Sequence, residues 1–128
     1  MKKLKHLSEI YNSYDTFLID LWGVMHNGVK LYPEAMTVIE NLNKFKKKVV
    51  FLSNAPRPSA NIIDFLQKLK IDKKYLQNVL TSGEAAFKSI NENKFGKKFY
   101  HIGPPKDETL FSKIKENKST LEYSDFIL

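Results

Sequence analysis

Two short, almost wholly apolar runs, Phe17-Leu-Ile-Asp-Leu21 and Lys48-Val-Val-Phe-Leu52, flank an amphipathic stretch, and polar residues come soon after each of them. Runs this apolar suit strands covered on both faces, the usual situation in parallel sheets whose crossover helices lie on either side. The stretch between them opens at Pro33, a residue suited to the first helical position. Ala35, Met36, Val38, Ile39, Leu42 and Phe45 then recur with helical period. Residues 17–52 therefore read as strand, helix, strand. Within that unit, Trp22-Gly-Val-Met-His-Asn-Gly28 brackets a polar tip with two glycines, which suits a tight turn and a small flap.

The alternation continues. Ala55-Pro-Arg-Pro58 is a stiff loop, and Ile62, Ile63, Leu66 and Leu69 mark one face of a second helix. A strand is expected at Asn78-Val-Leu80. Thr81 and Glu84 have the spacing of a capping box, in which hydroxyl and carboxylate satisfy each other's backbone amides at the start of a helix running to about Asn93. Lys98-Phe-Tyr-His-Ile102 is the next strand, followed by Gly103-Pro-Pro105, a helix over Leu110, Phe111 and Ile114, and the beginning of one more strand at Asp125-Phe-Ile-Leu128. The pattern predicts an α/β fold, a Rossmann-like three-layer sandwich with a mostly parallel sheet and helices on both faces, incomplete at the C-terminus. Phe65, Phe87 and Phe111 have core-like spacing and are assigned no function.

With 128 residues and 42% hydrophobic content, the chain has the size of one domain with one core. It has no cysteine, so disulfides and thiolate zinc sites are excluded, and a cytoplasmic location is expected. Its apolar runs fall far short of the roughly 20 residues that cross a bilayer. Met1-Lys-Lys-Leu-Lys-His begins like the basic end of a signal peptide, but Ser8, Glu9, Asn12 and Asp15 interrupt the apolar stretch that such a peptide needs. The net charge of +7 does not point to nucleic acid: Arg57 is the lone arginine among 21 basic residues, and the lysines are spread along the chain.

In sheets of this kind ligands bind beyond the carboxyl ends of the strands, which draws attention to Asp20 and to Ser53-Asn54. A carboxylate nucleophile facing a hydroxyl and adjacent amides is an arrangement that handles phosphate. Spacing alone leaves open the plainer reading, in which Asp20 caps a turn and Ser53-Asn54 begins a loop. Glycine spacing does exclude a dinucleotide-binding turn, since Gly23, Gly28, Gly83, Gly96 and Gly103 nowhere supply it.

Phe17-Leu-Ile-Asp-Leu-Trp-Gly-Val-Met-His-Asn-Gly28, together with Val49-Val-Phe-Leu-Ser-Asn-Ala-Pro-Arg-Pro58, resembles the first two motifs of haloacid dehalogenase-like hydrolases. The resemblance is greatest to subclass IIA, the NagD-like and p-nitrophenylphosphatase-like branch, and within it to a sub-branch with Asp-x-Trp-Gly in the first motif. Leu80-Thr-Ser-Gly-Glu84, Phe99-Tyr-His-Ile-Gly103 and Ser124-Asp-Phe-Ile-Leu128 extend it along the chain. It implies a phosphatase of small phosphorylated metabolites in which Asp20 attacks phosphorus and forms an aspartyl-phosphate. It further implies magnesium held by Asp20 and the backbone carbonyl of Trp22, with phosphoryl oxygens held by Ser53 and Asn54.

The family usually has a second aspartate, the general acid, where this chain has Trp22. His26 is the nearest replacement, against the plainer reading of a solvated imidazole on the flap. Trp22 either floors a substrate pocket or packs on the flap. Arg57 either grips substrate or pairs with a nearby acid. The family's lysine and acidic motifs, its cap domain and the later part of its core are not found here. The chain therefore resembles the amino-terminal part of the core domain, with an unpaired sheet edge through which homodimers or other self-association are expected. The alternative function is a non-catalytic relative that binds phosphate or serves as an interaction module.

Overall fold

The computed structural model describes residues 3–128, apart from the side chains of Lys106, Asp107 and Thr109. Met1 and Lys2, the start of the basic stretch, lie outside the described residues. No helix among those described is long and apolar enough to cross a membrane. The chain divides into two compact units: Met1–Ser53 with Ile63–Leu80, and Asn54–Ile62 with Thr81–Leu128.

The first unit holds the expected strand–helix–strand. Strand β1 (Thr16–Asp20) pairs in parallel with β2 (Lys48–Ser53), Phe17 opposite Val49 and Asp20 opposite Leu52. Strand β3 (Val79–Thr81) flanks β2 on its other side, giving the order β1-β2-β3. Central position makes β2 the best-covered strand, with Val50 and Phe51 buried. The sequence predicts a first strand buried on both faces, and the structure corrects this. Phe17 and Ile19 are half-buried, whereas Thr16, Leu18 and Asp20 are exposed, Leu18 by 68%. Among the described residues nothing covers that face of β1.

Helix α1 (Pro33–Lys44) starts on its proline and buries Ile39 and Leu42. Helix α2 (Ser59–Lys68), whose first turn belongs to the second unit, buries Leu66. Helix α3 (Ser82–Asn91) lies in the second unit. All three helices end alike. Lys46, Lys70 and Asn93 take left-handed backbones at φ 56°, 75° and 53°. The next amide reaches back over the last turn, from Lys47 to the Leu42 carbonyl, Ile71 to Leu66 and Lys94 to Ser89, at 2.9–3.1 Å. This is the Schellman ending, with lysine or asparagine where glycine is usual, so none of the three ends was legible from a glycine.

The second unit pairs β4 (Phe99–Tyr100) in parallel with β5 (Phe126–Ile127), both shorter than the sequence predicts. Asp125 fastens them, its carboxylate accepting from the Lys97 and Lys98 amides at 2.8 and 2.9 Å. Those bonds, Lys98's first, hold its pKa below the ordinary aspartate value. The helix expected over Leu110, Phe111 and Ile114 is instead a run of short 3-10 turns over Pro105–Leu110 and Ser112–Asn117, broken at Phe111 and again at Ile114, whose backbone is not helical (φ −130°, ψ 25°). The turn between the two breaks still serves the core, the Ile114 amide donating to the Phe111 carbonyl at 2.9 Å. Both are buried with Phe99, Ile90 and Leu110, and Phe87, Phe126 and Leu128 pack around them. The Phe99 and Phe111 rings lie 5.1 Å apart.

Candidate active site

The carboxyl end of β1 runs straight into the flap. The Leu21 carbonyl accepts from the amides of Val24, Met25 and His26 at 3.3, 2.8 and 3.3 Å, and the Gly23 amide donates to the His26 carbonyl at 2.8 Å. Gly23 has φ +78°, a conformation that favours glycine. The side chains of Leu21 and Met25 anchor the turn, exposed by only 2% and 1%. At the tip, the Asn27 side-chain oxygen accepts from the Val29 and Lys30 amides, both at 3.0 Å, and the Tyr32 amide closes the flap on the Met25 carbonyl at 2.9 Å.

His26 is buried, which corrects the reading of a solvated imidazole. The Gly28 amide donates to its Nδ1 at 3.0 Å, so that nitrogen carries a lone pair and the neutral ring holds its proton on Nε2. The ring meets Trp22 and Phe65 edge to face, at centroid distances of 5.7 and 5.3 Å. Burial lowers its pKa from the ordinary histidine value, and the negative charge of Asp20 acts in the opposite direction but less strongly. His26 is thus a neutral internal strut of the flap.

Trp22 packs on the flap. Its six-membered ring lies over Gly28, where an added Cβ would sit 2.6–2.7 Å from the indole, yet 66% of the residue stays exposed. Asp20 is exposed at the end of β1, opposite Leu52 and hence one register position before Ser53, the half-buried last residue of β2. Parallel pairing thus brings the carboxylate-bearing residue and the serine to adjacent strand ends. The carboxylate of Asp20 and the backbone carbonyl of Trp22 are hard oxygen donors of the kind magnesium takes, with water and phosphate oxygens to complete its shell. Among the described residues no cluster of three or more metal-binding side chains exists.

Asn54 and Arg57 belong to the second unit. Their loop is tied to the start of α3. The Thr81 hydroxyl donates to the Arg57 carbonyl at 2.6 Å, and the Ser82 hydroxyl and Gly83 amide donate to the Ala55 carbonyl at 3.0 and 3.1 Å. Thr81 also caps α3 as expected, accepting from the Glu84 amide at 3.0 Å. The Glu84 carboxylate does not return the bond to its own helix. It accepts from the Ser59 amide at the start of α2, at 3.0 Å. The ion pairs among the described residues, Lys47–Asp15, Lys74–Asp72, Lys94–Glu92 and Lys115–Glu108, leave Arg57 out. A cavity of about 460 Å³ lies between the N-terminal turns and α1, lined by residues such as His6, Tyr11 and Phe45, and includes none of these site residues.

Residues 17–115 match the model of the haloacid dehalogenase-like hydrolase family. No curated protein matches. Among solved structures, a haloacid dehalogenase-like hydrolase from Brucella suis superposes with a TM-score of 0.82 at 21% identity, over 98% of this chain and 45% of that one. A 4-nitrophenylphosphatase from Thermotoga maritima gives 0.69 at 20%, over 92% and 45%. A p-nitrophenyl phosphatase from Archaeoglobus fulgidus gives 0.69 at 19%, over 89% and 44%. The chain therefore spans less than half the length of these structures, and at such identities they bear on fold alone. The family match over most of the chain, with the parallel α/β sheet and the strand-end aspartate, makes this chain a member of the haloacid dehalogenase-like hydrolases.

Proposed function

We propose that this chain carries the nucleophile and phosphate-binding loops of a magnesium-assisted phosphomonoester hydrolase of subclass IIA, acting on a small phosphorylated metabolite in the cytoplasm. The observation that carries the reading is the β1–β2 register, with Asp20 exposed at the carboxyl end of one strand and Ser53 ending its neighbour. An Asp20 carboxylate oxygen attacks phosphorus, the bond from phosphorus to the ester oxygen breaks, and an aspartyl-phosphate results. Water then hydrolyses it to phosphate and free Asp20. Ser53, Asn54 and Arg57 hold the phosphoryl oxygens through hydroxyl, amide and guanidinium donors. Magnesium, held by Asp20 and the Trp22 carbonyl, supplies charge neutralisation at those oxygens.

Trp22 cannot protonate a leaving group. His26, neutral and holding the Gly28 amide on Nδ1, is suited to shaping the flap rather than to donating a proton. Leaving groups that depart readily as anions are therefore the favoured substrates, because a missing general acid costs about a hundred- to ten-thousandfold with others. The test is magnesium-dependent nitrophenol release from p-nitrophenyl phosphate, expected from the wild type and abolished in Asp20→Asn. An equal rate in the two would remove Asp20 from the mechanism.

Trp22 in the acid position also favours a second reading, a non-catalytic phosphate-binding or interaction module, which absence of turnover in both proteins would support. The partner in either case is expected at the exposed face and free edge of β1, where a second copy of the chain would cover Leu18. Light scattering at rising concentration tests this, and a strictly monomeric species would count against it.

A further inference from the structure

Four consecutive residues at the start of α3 hold the loop that carries Arg57. The Thr81 hydroxyl is spent twice, donating to the Arg57 carbonyl at 2.6 Å and accepting from the Glu84 amide at 3.0 Å. It does so at a residue only 3% exposed. Ser82 and Gly83 both donate to the Ala55 carbonyl, and Glu84 accepts from Ser59, so the loop is bonded at its start, its middle and its end. Gly83 also lets the two backbones touch: a Cβ there would lie 2.6 Å from the carbonyl carbon and oxygen of Arg57. An ordinary capping box needs none of this. It would keep Glu84 on its own helix and leave the loop to itself.

We propose that Thr81-Ser-Gly-Glu84 is a positioning element that fixes the backbone of Arg57, and so aims its guanidinium at a phosphate group. Thr81 is a positioning residue, acting only through Arg57. The inference rests on the phosphate-binding reading of Arg57 given above. Fixing a backbone from the carbonyl side matters for a long, flexible side chain, because each dihedral frozen before binding is entropy not lost on binding.

The experiment titrates inorganic phosphate into the chain, following backbone amide and Arg57 Nε–H signals by NMR, for wild type, Arg57→Gln, Thr81→Val, Thr81→Ser and the Arg57→Gln/Thr81→Val double variant. Thr81→Val is expected to bind phosphate about tenfold more weakly, as when a buried hydrogen bond and the geometry it enforces are lost together. Thr81→Ser, which keeps the hydroxyl, restores affinity to within about threefold. The double variant is no weaker than Arg57→Gln alone, because Thr81 acts through Arg57. Additive losses, or wild-type affinity in Thr81→Val beside a weakened Arg57→Gln, overturn the positioning role while leaving Arg57 as a phosphate ligand. Wild-type affinity in Arg57→Gln, or no phosphate binding by the wild type, overturns the Arg57 reading and the positioning role with it. Should Thr81→Val not fold, Ser82→Ala, at an exposed residue, takes its place. It is expected to weaken binding about threefold, and an unchanged affinity there counts against the proposal.

Discussion

The flap after β1 and the loop after β2 solve the same problem in opposite ways. Each leaves the carboxyl end of a strand and must hold functional groups in place without a helix or sheet of its own. The flap is stapled from within: its bonds run between residues two to seven positions apart, through the Leu21 carbonyl, Asn27, and His26 with Gly28. The Ala55–Ser59 loop is stapled from outside, by bonds to residues 24 to 28 positions away. An internally stapled segment can deform as a body, whereas one bonded to a distant helix moves only if that helix yields. The two should therefore respond differently to the same insult.

The sharpest contrast is a methyl group or more added to a glycine in each. Gly83→Val forces side-chain atoms into the backbone of Arg57, which cannot swing aside, and should cost about 3 kcal/mol in urea unfolding. A loss below about 1 kcal/mol would mean that the close approach relaxes freely. Gly28→Ala meets the exposed Trp22 ring, which can turn away, so the main cost is a left-handed alanine at φ +88°, about 1–2 kcal/mol. The single tryptophan should at the same time report a more solvated indole in its fluorescence.

The flap should also be the pH-sensitive partner of the pair. His26 has its folded-state pKa below its unfolded value near 6.5, so the unfolded chain takes up a proton first as pH falls. Stability contributed by the neutral ring is complete above about 6.5 and is lost below it, down through the lowered folded value, and His26→Phe should flatten that part of the urea midpoint profile. An unchanged profile in the variant would assign the pH dependence elsewhere. The smallest effect is expected at the start of α2. The Ser59 hydroxyl is buried and finds no partner among the described residues, so Ser59→Ala should leave stability equal or raise it by up to about 1 kcal/mol in the same assay.

That contrast also separates the features legible in the sequence from those that were not. Pro33 and the period of Ile39 and Leu42 gave α1 within a residue, and Lys48-Val-Val-Phe-Leu52 gave β2, because those signals are local. The two glycines of the flap announced a turn for the same reason. Half of the Thr81 capping box was legible, the half lying within one helix. The Glu84 bond to Ser59 was not, since its partner is 25 positions away and no local pattern encodes it. The burial of His26 is not legible, because a polar residue between glycines reads as solvated, while Phe65, laid against it from α2, covers it. The exposed face of β1 is not legible either, because an apolar run states what a strand can bury, not what there is to bury it.

The left-handed ends of the helices bear on how this chain meets its ionic surroundings. Lysine at that position is strained, and glycine would relieve the strain; but Lys46 and Lys70 each bring a positive charge to the negative end of a helix dipole, worth about 0.3–1 kcal/mol at low salt. The compensation is electrostatic and can be screened, whereas the strain cannot. Ionic strength thus enters the stability of this chain at the points where its helices stop, far in sequence from Asp20, the residue proposed as nucleophile.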